Sequence, residues 1–443
     1  MNLFDWLKPG LKIKRWIFIG IIGIAFMIIG TFPLLDPFLI EKGILKYFLF
    51  FIMGGGTLLI IAVKRGFLSI LKILDFPSLS KQQKIDEKLY EKRILNKGPR
   101  VVVIGGGTGL SVLLRGLKKY TSNITAIVTV ADDGGGSGVL REDLGMLPPG
   151  DIRNCILALA NTEPIMEKLL QYRFSEGQLK GQSFGNLLIA AMNGISDGFE
   201  EAIKKINDVL AVTGKVLPVT TENITLYAKL KNGKVIKGES QIPLKAKEFE
   251  SPVEKVFIKP SNVAALKDAV EEILYADVIV LGPGSLYTSI IPNLLVEDIK
   301  KAMKESSAMK VYISNVMTQP GETDGYSVAK HIEAILEHLK LDKIDYVFAN
   351  NKEIPKETLK KYILDGAMPI KPSKEDYDYL KKNNIQMIEG SFVDIRKSYI
   401  RHDADKLSKK IIEMVLKEKY TIDKKRIVDY YLLKEDMKKK YML

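Results

Sequence analysis

A chain of 443 residues, 46% hydrophobic and 27% charged, can bury a large α/β core and exceeds one ordinary domain. Its net charge of +13 invites a nucleic-acid reading, but residues 1–15 carry four basic side chains against one acidic, residues 64–100 ten against four and residues 404–443 twelve against seven, leaving residues 101–403 near neutrality. With no interleaving of aromatic and basic residues this argues against nucleic acid as a partner, and a single cysteine, Cys155, excludes an internal disulfide framework.

The first predicted elements are membrane helices. Residues 16–35 are twenty positions without a charge, and as a helix they would span about 30 Å, the thickness of a bilayer's hydrocarbon core. Residues 47–63 give seventeen more. Gly54-Gly55-Gly56 in their middle weakens the helix but permits close packing against the first one. Lys8, Lys12, Lys14 and Arg15 precede the first run, and Lys64, Arg65 and Lys72 follow the second. The loop between them sets Lys42 and Lys46 against Asp36 and Glu41. Positive flanks place both ends in the cytoplasm. The expectation is a two-helix transmembrane hairpin over residues 1–77, multi-pass in the cell membrane, then a basic linker at 78–98 and a cytoplasmic main domain at 99–405.

That domain opens with Val101-Val102-Val103-Ile104, a continuous apolar run ending in glycines, the pattern of a buried parallel strand. Leu110, Val112, Leu113, Leu114 and Leu117 follow at helical spacing. Residues 124–130 predict a second strand that ends in Ala131-Asp132-Asp133-Gly134-Gly135-Gly136-Ser137-Gly138. Two successive strands thus deliver glycine-rich loops to one sheet edge, where open α/β folds bind ligands. Residues 224–230 and 235–242 alternate around Asn232-Gly233 and predict a β-hairpin. Parallel texture returns as 277–281 leads into Gly282-Pro283-Gly284-Ser285, 310–313 into Ser314-Asn315, and 346–349 into Asn350-Asn351. The predicted class is α/β: a Rossmann-like, mostly parallel sheet with helices on both faces and a β-hairpin excursion. Residues 406–443 predict a lysine-rich helical tail.

The loop Gly105-Gly106-Gly107-Thr108-Gly109 has G-x-G-x-G spacing, differs from a dinucleotide fingerprint and lacks the lysine of a P-loop. It still offers close backbone approach, a hydroxyl and the free N–H groups of a following helix, which suit a phosphate. Asp132 and Asp133 stand where an acidic residue meets a ribose in Rossmann-type sites, and such a pair could hold Mg²⁺; Asx-turn capping is the alternative. Arg153 falls in the first turn of a helix beginning near Asp151, an awkward place for a cation unless an anion or carboxylate is near. Ser183 and Asn186 precede another helix whose N-terminus could face a ligand, with Ser183 as a contact or only as its N-cap. Gly282, Gly284, Ser285 and Thr288 form a second anion cradle. His331 and His338 are expected on a solvated helix face. Arg401-His402-Asp403 crowds a cation, a titratable ring and a carboxylate together. No histidine has the spacing of a zinc site, and no G-x-S-x-G motif or Ser-His-Asp order supports a covalent hydrolase.

Gly105-Gly106-Gly107-Thr108-Gly109-Leu110, Ala131-Asp132-Asp133-Gly134-Gly135, Pro148-Pro149-Gly150-Asp151-Ile152-Arg153-Asn154, Gly185-Asn186-Leu187, Gly282 to Ser289 and Met317-Thr318-Gln319-Pro320-Gly321-Glu322-Thr323 together resemble the bacterial gluconeogenesis factor family. That family is related to the 2-phospho-L-lactate transferases of deazaflavin coenzyme synthesis. The resemblance covers nearly all of residues 100–405. It implies a nucleotide diphosphate ligand, a UDP-sugar such as UDP-N-acetylglucosamine, and a role in cell shape and peptidoglycan synthesis during gluconeogenic growth. Carried over by motif, the ligand-binding positions include Thr108, Asp132, Asp133, Asn186, Ser285, Thr288, Asn315 and Arg401. Gln182 replaces a histidine of the family pattern, and Gly136 replaces a serine.

The expected activity is ligand sensing without turnover, with no required cofactor, a cell-wall-synthesis protein as partner and a homo-oligomer compatible with the chain. The competing reading is a transferase that moves a phosphate-ester group from a nucleotide diphosphate to an acceptor hydroxyl, with Mg²⁺ on Asp132 and Asp133 neutralising the diphosphate. An NAD-dependent dehydrogenase is disfavoured by the glycine spacing.

Overall fold

The structure is a computed structural model that describes residues 14–31, 45–73, 92–340, 344–396, 399–421, 423 and 426–442. It separates into two compact units, Met1–Glu91 and Lys92–Leu443. The expected linker lies outside the described residues as far as residue 91.

In the first unit, α1 (Lys14–Thr31) and α2 (Leu45–Ile73) form an antiparallel pair. Their closest approach is at two glycines: a Cβ on Gly23 would lie 2.9 Å from the Gly55 carbonyl oxygen, and one on Gly55 would lie 2.6 Å from that of Gly23. Of the three consecutive glycines, Gly55 alone makes the contact, since a Cβ on Gly54 or Gly56 would meet nothing. Phe26 and Phe51 meet edge to face at 5.5 Å one turn farther along. Ile21, Ile28, Phe50, Met53 and Ile60 are exposed on the outside of the pair. Among the described residues, one helix, Leu49–Phe67, is long and apolar enough to cross a membrane, and Arg15–Thr31 is shorter. The first expected span, 16–35, therefore keeps its helix only to Thr31 within the described residues.

The second unit is built on a seven-stranded, wholly parallel sheet. Its strands are β1 (Val101–Gly105), β2 (Ile124–Val128), β3 (Lys215–Pro218), β7 (Val278–Leu281), β8 (Met309–Ile313), β9 (Tyr346–Asn350) and β10 (Gln386–Gly390), in the order β10-β9-β8-β7-β1-β2-β3. Every residue of β1, β2 and β7 is buried, as a sheet covered on both faces requires. Between β3 and β7 the chain makes an antiparallel excursion of β4 (Thr225–Leu230), β5 (Val235–Lys237) and β6 (Val253–Lys259). The Asn232-Gly233 hairpin is present, with Gly233 at φ +85°. The sequence reading ran its second strand to Ile242, but β5 stops at Lys237 because Gly238 turns at φ +97° and a helix starts at Ile242. The third strand, β6, follows only after that helix. A two-stranded hairpin, β11 (Val393–Arg396) with β12 (Tyr399–His402), completes the strands.

The helices that frame the site are α3 (Gly107–Leu117), α4 (Gly135–Leu144), α5 (Gly150–Leu159) and α6 (Phe184–Gly194). The expected tail does not stand apart. Helix α7 (Ala404–Val415) buries Leu407, Ile411, Ile412 and Val415 against α3, and Arg426 bridges to Asp277 at 2.7 Å, so the tail belongs to the second unit. His331 and His338, expected in solvent, are buried. Seven residues apart on Val328–Leu339, they share the face that also carries Ile332, Ile335 and Leu339. His331 Nδ1 meets the Ser327 carbonyl at 2.8 Å, and burial holds its pKa down at about 4. Cys155 is fully buried and packs as a small apolar side chain.

Candidate functional site

The sheet order puts β1 beside β7, although the chain leaves β1 toward β2 and β3 and returns through β7 toward β8 to β10. At such a switch point neighbouring loops leave in opposite directions and open a crevice at the carboxyl ends of the strands. A cavity of about 350 Å³ lies there, within the range of roughly 300–1,000 Å³ usual for small-molecule sites. One wall is Gly106 to Gly109, the other Pro283, Gly284, Ser285 and Ser289; the end of β8 supplies Asn315, Val316 and Met317, and β12 supplies Ile400, Arg401 and His402.

The glycines are there because two backbones touch. A Cβ on Gly109 would sit 2.6 Å from the Pro283 carbonyl oxygen, and one on Gly284 would sit 3.3 Å from that of Gly106. Buried Asn293 ties the loops together, donating from Nδ2 to the carbonyls of Gly105 at 3.2 Å and Ser289 at 2.8 Å. Thr108 is exposed in the first turn of α3, where amides lack intrahelical partners, and can offer an anion both its hydroxyl and its N–H. Ser285 accepts from Gln319 Nε2 at 2.7 Å. The side-chain carbonyl oxygens of Asn315 and Gln319 are buried in this wall with no partner among the described residues. Exposed Arg401 brings the cation of the cavity wall.

The predicted set is therefore divided. Gly106, Gly107, Thr108, Gly109, Gly284, Ser285, Asn315 and Arg401 line the cavity. Gly105 ends β1, and Gly282 makes the turn out of β7 at φ +85°, so both shape the loops rather than the wall. Asp132, Asp133, Asn186 and Thr288 do not line it. Thr288 is buried and donates to Glu322 at 3.3 Å. Asp133 accepts the amides of Glu239 at 3.0 Å and Ser240 at 2.9 Å, one on each oxygen, and so fastens its loop to the antiparallel excursion. Asp132 Oδ1 accepts the Gly134 amide at 2.9 Å, which makes it the Asx turn the sequence left open. Asn186 is buried beside Arg153, which donates to it at 3.0 Å, to Asn154 at 2.9 Å and to Ser183. Arg153, expected on a ligand or a carboxylate, instead brackets the N-termini of α5 and α6 through neutral acceptors.

Behind the glycine loops lies a group of carboxyls that sequence reasoning did not assemble. Asp151 accepts the Gly107 amide, and burial together with nearby Asp132 pushes it up to about 6. Glu322 accepts the Tyr287 and Thr288 amides; burial pushes it up to about 7, and its Oε2 has no partner among the described residues. Glu239 is pushed up to about 8, first by burial and then by Asp132 and Glu322. Both helix starts expected to cradle anions thus carry one of the protein's own carboxyls on the inner side. This arrangement leaves little for magnesium. Both oxygens of Asp133 are committed to amides and one of Asp132's is, and among the described residues no group of three or more His, Cys, Asp or Glu could hold a metal ion. The Asp132–Asp133 pair does not fit a chelated Mg²⁺.

The two departures from the family pattern touch each other. A Cβ on Gly136 would lie 2.8 Å from Gln182 Oε1, so the glutamine occupies space that a serine at 136 would need.

Comparison with known proteins decides the family. The model of the 2-phospho-L-lactate transferase CofD family matches residues 101–393. The chain belongs to this family. The gluconeogenesis factor of Bacillus subtilis is 44% identical over 322 residues, covering 72% of this chain and 99% of its own. A relative from Clostridium acetobutylicum is 51% identical over 447 residues, 99% of this chain and 97% of its own, so its match includes the N-terminal unit. The crystal structure of a UPF0052 family member from Bacillus halodurans aligns with a TM-score of 0.67 at 46% identity, covering 70% of this chain and 98% of that one. Within the CofD family frame, two residues with no motif signal complete the cavity, Tyr362 from a helix at Lys356–Leu364 and Ile400, beside His402 of the Arg401-His402-Asp403 cluster. Ile400 donates its amide to the Tyr362 hydroxyl at 2.9 Å, a contact between segments 38 residues apart that no local pattern announces. Gln319 had a signal, its place in the Met317 to Thr323 motif.

Proposed function

We propose that this gluconeogenesis factor relative binds a nucleotide diphosphate, a UDP-sugar such as UDP-N-acetylglucosamine, and reports its occupancy to a cell-wall-synthesis partner, controlling cell shape during gluconeogenic growth. The observation that carries the binding is the cavity between the β1 and β7 loops. Amides, hydroxyls and Arg401 offer donors to phosphate, the free acceptors of Asn315 and Gln319 suit sugar or base donors, and Val316, Met317, Tyr362 and Ile400 give an apolar face. Ligand sensing is binding without turnover. The exposed apolar helix pair at residues 14–73 is read as a membrane hairpin holding this domain at the cytoplasmic face.

One observation favours transfer chemistry instead: Asp151, Glu322 and Glu239, raised to about 6, 7 and 8, are tuned for proton exchange near neutrality, beside the loops a diphosphate would occupy. Calorimetric titration of the detergent-solubilised full chain with UDP-N-acetylglucosamine, UDP and GDP separates the readings when followed by mass spectrometry. Tight UDP-sugar binding with the ligand recovered intact supports sensing. Binding of GDP alone, with a group transferred to an acceptor, overturns it.

A further inference from the structure

The antiparallel excursion has an outer face that neither the cavity nor the carboxyls behind it use. Leu226, Ala228, Ile236, Val256 and Ile258 are buried, so strand alternation turns Tyr227, Lys229, Lys237, Lys255, Phe257 and Lys259 to the other side. The register sets Lys237, Tyr227 and Phe257 in one row across the sheet and Lys229 beside Lys255. The Tyr227 and Phe257 rings stack at 5.4 Å with 10° between their planes, and the Lys259 ammonium stands over Tyr227, 5.2 Å from its centroid. Both rings are half-buried, while Lys237, Lys255 and Lys259 are exposed. The three strands carry four lysines against one acid, Glu254, and Lys229 engages that acid at 2.9 Å. Among the described residues Lys237, Lys255 and Lys259 lie in no ion pair. Pairing of β4 with β6 thus gathers on one face an aromatic and basic set that is dispersed along the chain.

An aromatic pair ringed by unpaired cations offers apolar anchors and a charge that selects what lands on them. Along β6, Lys255, Phe257 and Lys259 follow one another every second residue, about 7 Å apart. An extended polypeptide has the same period, so a segment whose acids flank an apolar residue two positions away meets cation, ring and cation in turn. It would lie on the face, not add a strand at the β6 edge, where the Val256 amide already donates to His338 Nε2 at 3.2 Å. A nucleic acid fits less well. Residues 101–403 are near neutral, so a polyanion finds no field beyond this patch, and residues 219–262 contain no arginine whose fork would match a phosphate. From register and charge we infer that Tyr227 and Phe257, with Lys237, Lys255 and Lys259, dock an extended acidic segment of a partner protein. The inference rests on the partner half of the sensing reading, not on its ligand half, and adds where the partner is held and by what chemistry.

The probe is a fluorescein-labelled peptide of Glu-Ser-Leu-Ser repeats, titrated with the detergent-solubilised full chain and followed by anisotropy. It should bind, and more weakly as salt rises; the same peptide with Gln for Glu should not. Lys237→Gln, Lys255→Gln and Lys259→Gln together should weaken binding about tenfold, whereas Lys374→Gln, Lys381→Gln and Lys382→Gln, exposed on the helix Lys374–Lys382, should leave it unchanged. Tyr227→Ser with Phe257→Ser should remove the part of the binding that survives salt, in protein that still melts cooperatively. Equal affinity of the parent and the first lysine triple, or of the Glu and Gln peptides, would overturn the docking face while leaving UDP-sugar binding untouched. Peptide binding in a chain that takes up no UDP-sugar would keep the face and remove the ligand half of the sensing reading. Displacement of the peptide by oligouridine, or by phosphatidylglycerol doped into the micelles, at lower concentration than by unlabelled peptide would reassign the face to nucleic acid or to membrane and overturn the acidic segment.

Discussion

The cavity and the carboxyl group behind it share the same two loops and are opposites in chemistry. On the cavity side Thr108, Ser285 and Arg401 face open space as donors; on the inner side Asp151, Glu239 and Glu322 are largely buried acids whose nearest titratable neighbours include one another. A glycine loop leaves its backbone accessible from both sides. One side is free for a ligand's anion while the other is occupied by the protein's own. The contrast teaches that a helix N-terminus, read from sequence as an anion site, specifies neither how many anions it serves nor whose they are.

The sharpest way to break the arrangement is to separate the loops. Gly109→Ala drives a methyl against the Pro283 carbonyl, and is expected to abolish UDP-sugar binding and to cost about 1–3 kcal/mol of stability; unchanged calorimetric affinity would show that the loops need not touch. Arg401→Ala tests the cavity side alone. Losing a hydrogen bond to a charged group should weaken binding by about 10–100-fold, while the melting temperature stays put because the side chain is exposed.

The inner side is tested by pH. Glu322 has a folded pKa of about 7, above its ordinary value, so the folded state holds a proton that the unfolded chain gives up as pH rises. Its neutral form is favoured on folding, and stability should fall between about pH 4.5 and 7, where the unfolded chain releases the proton that the buried carboxyl keeps. Glu239 extends that decline toward pH 8. Glu322→Gln should therefore raise stability at pH 8 by on the order of 2 kcal/mol, leave it little changed at pH 4 and flatten the slope, as followed by denaturant melts across pH. A parallel pair of curves would mean that the carboxyl is already solvated.

Smaller effects mark the border of the two regions. Gly136→Ser should cost about 1 kcal/mol against Gln182 and less in a Gln182→Ala background, with a coupling of about 0.5–1 kcal/mol in a double-mutant cycle; additive single effects would show that the two positions do not meet. Lys119→Ala removes an ion pair of 2.5 Å with Asp405, both side chains about half exposed, outside either region. The loss should stay below about 0.5 kcal/mol.

Much of the fold was legible because its signals are local. Val101 to Ile104 and Val278 to Leu281 read as buried parallel strands from apolar runs that end in glycine, and Asn232-Gly233 marked its turn. β6 escaped because it is separated from the hairpin by a helix. The histidines at 331 and 338 were misplaced because polar identity was read where heptad spacing on an apolar face decides burial. Within the site the glycines and hydroxyls of both loops were legible, since close backbone approach demands glycine. The roles of Asp132, Asp133, Asn186 and Thr288 were not, because a carboxylate or amide serves backbone and ligand equally well and only its neighbours decide.

The sequence by itself determined the parallel sheet, the two glycine loops, the family and the apolar character of the first unit, because periodicity and backbone freedom are properties of neighbouring residues. Tertiary structure decided which side of each loop faces the cavity. It turned Asp133 to the excursion and Thr288 to Glu322, and it brought Tyr362 and Arg401 to the cavity wall. Those assignments depend on segments far apart in the chain, and their direction is set by burial and by which amide finds a partner first.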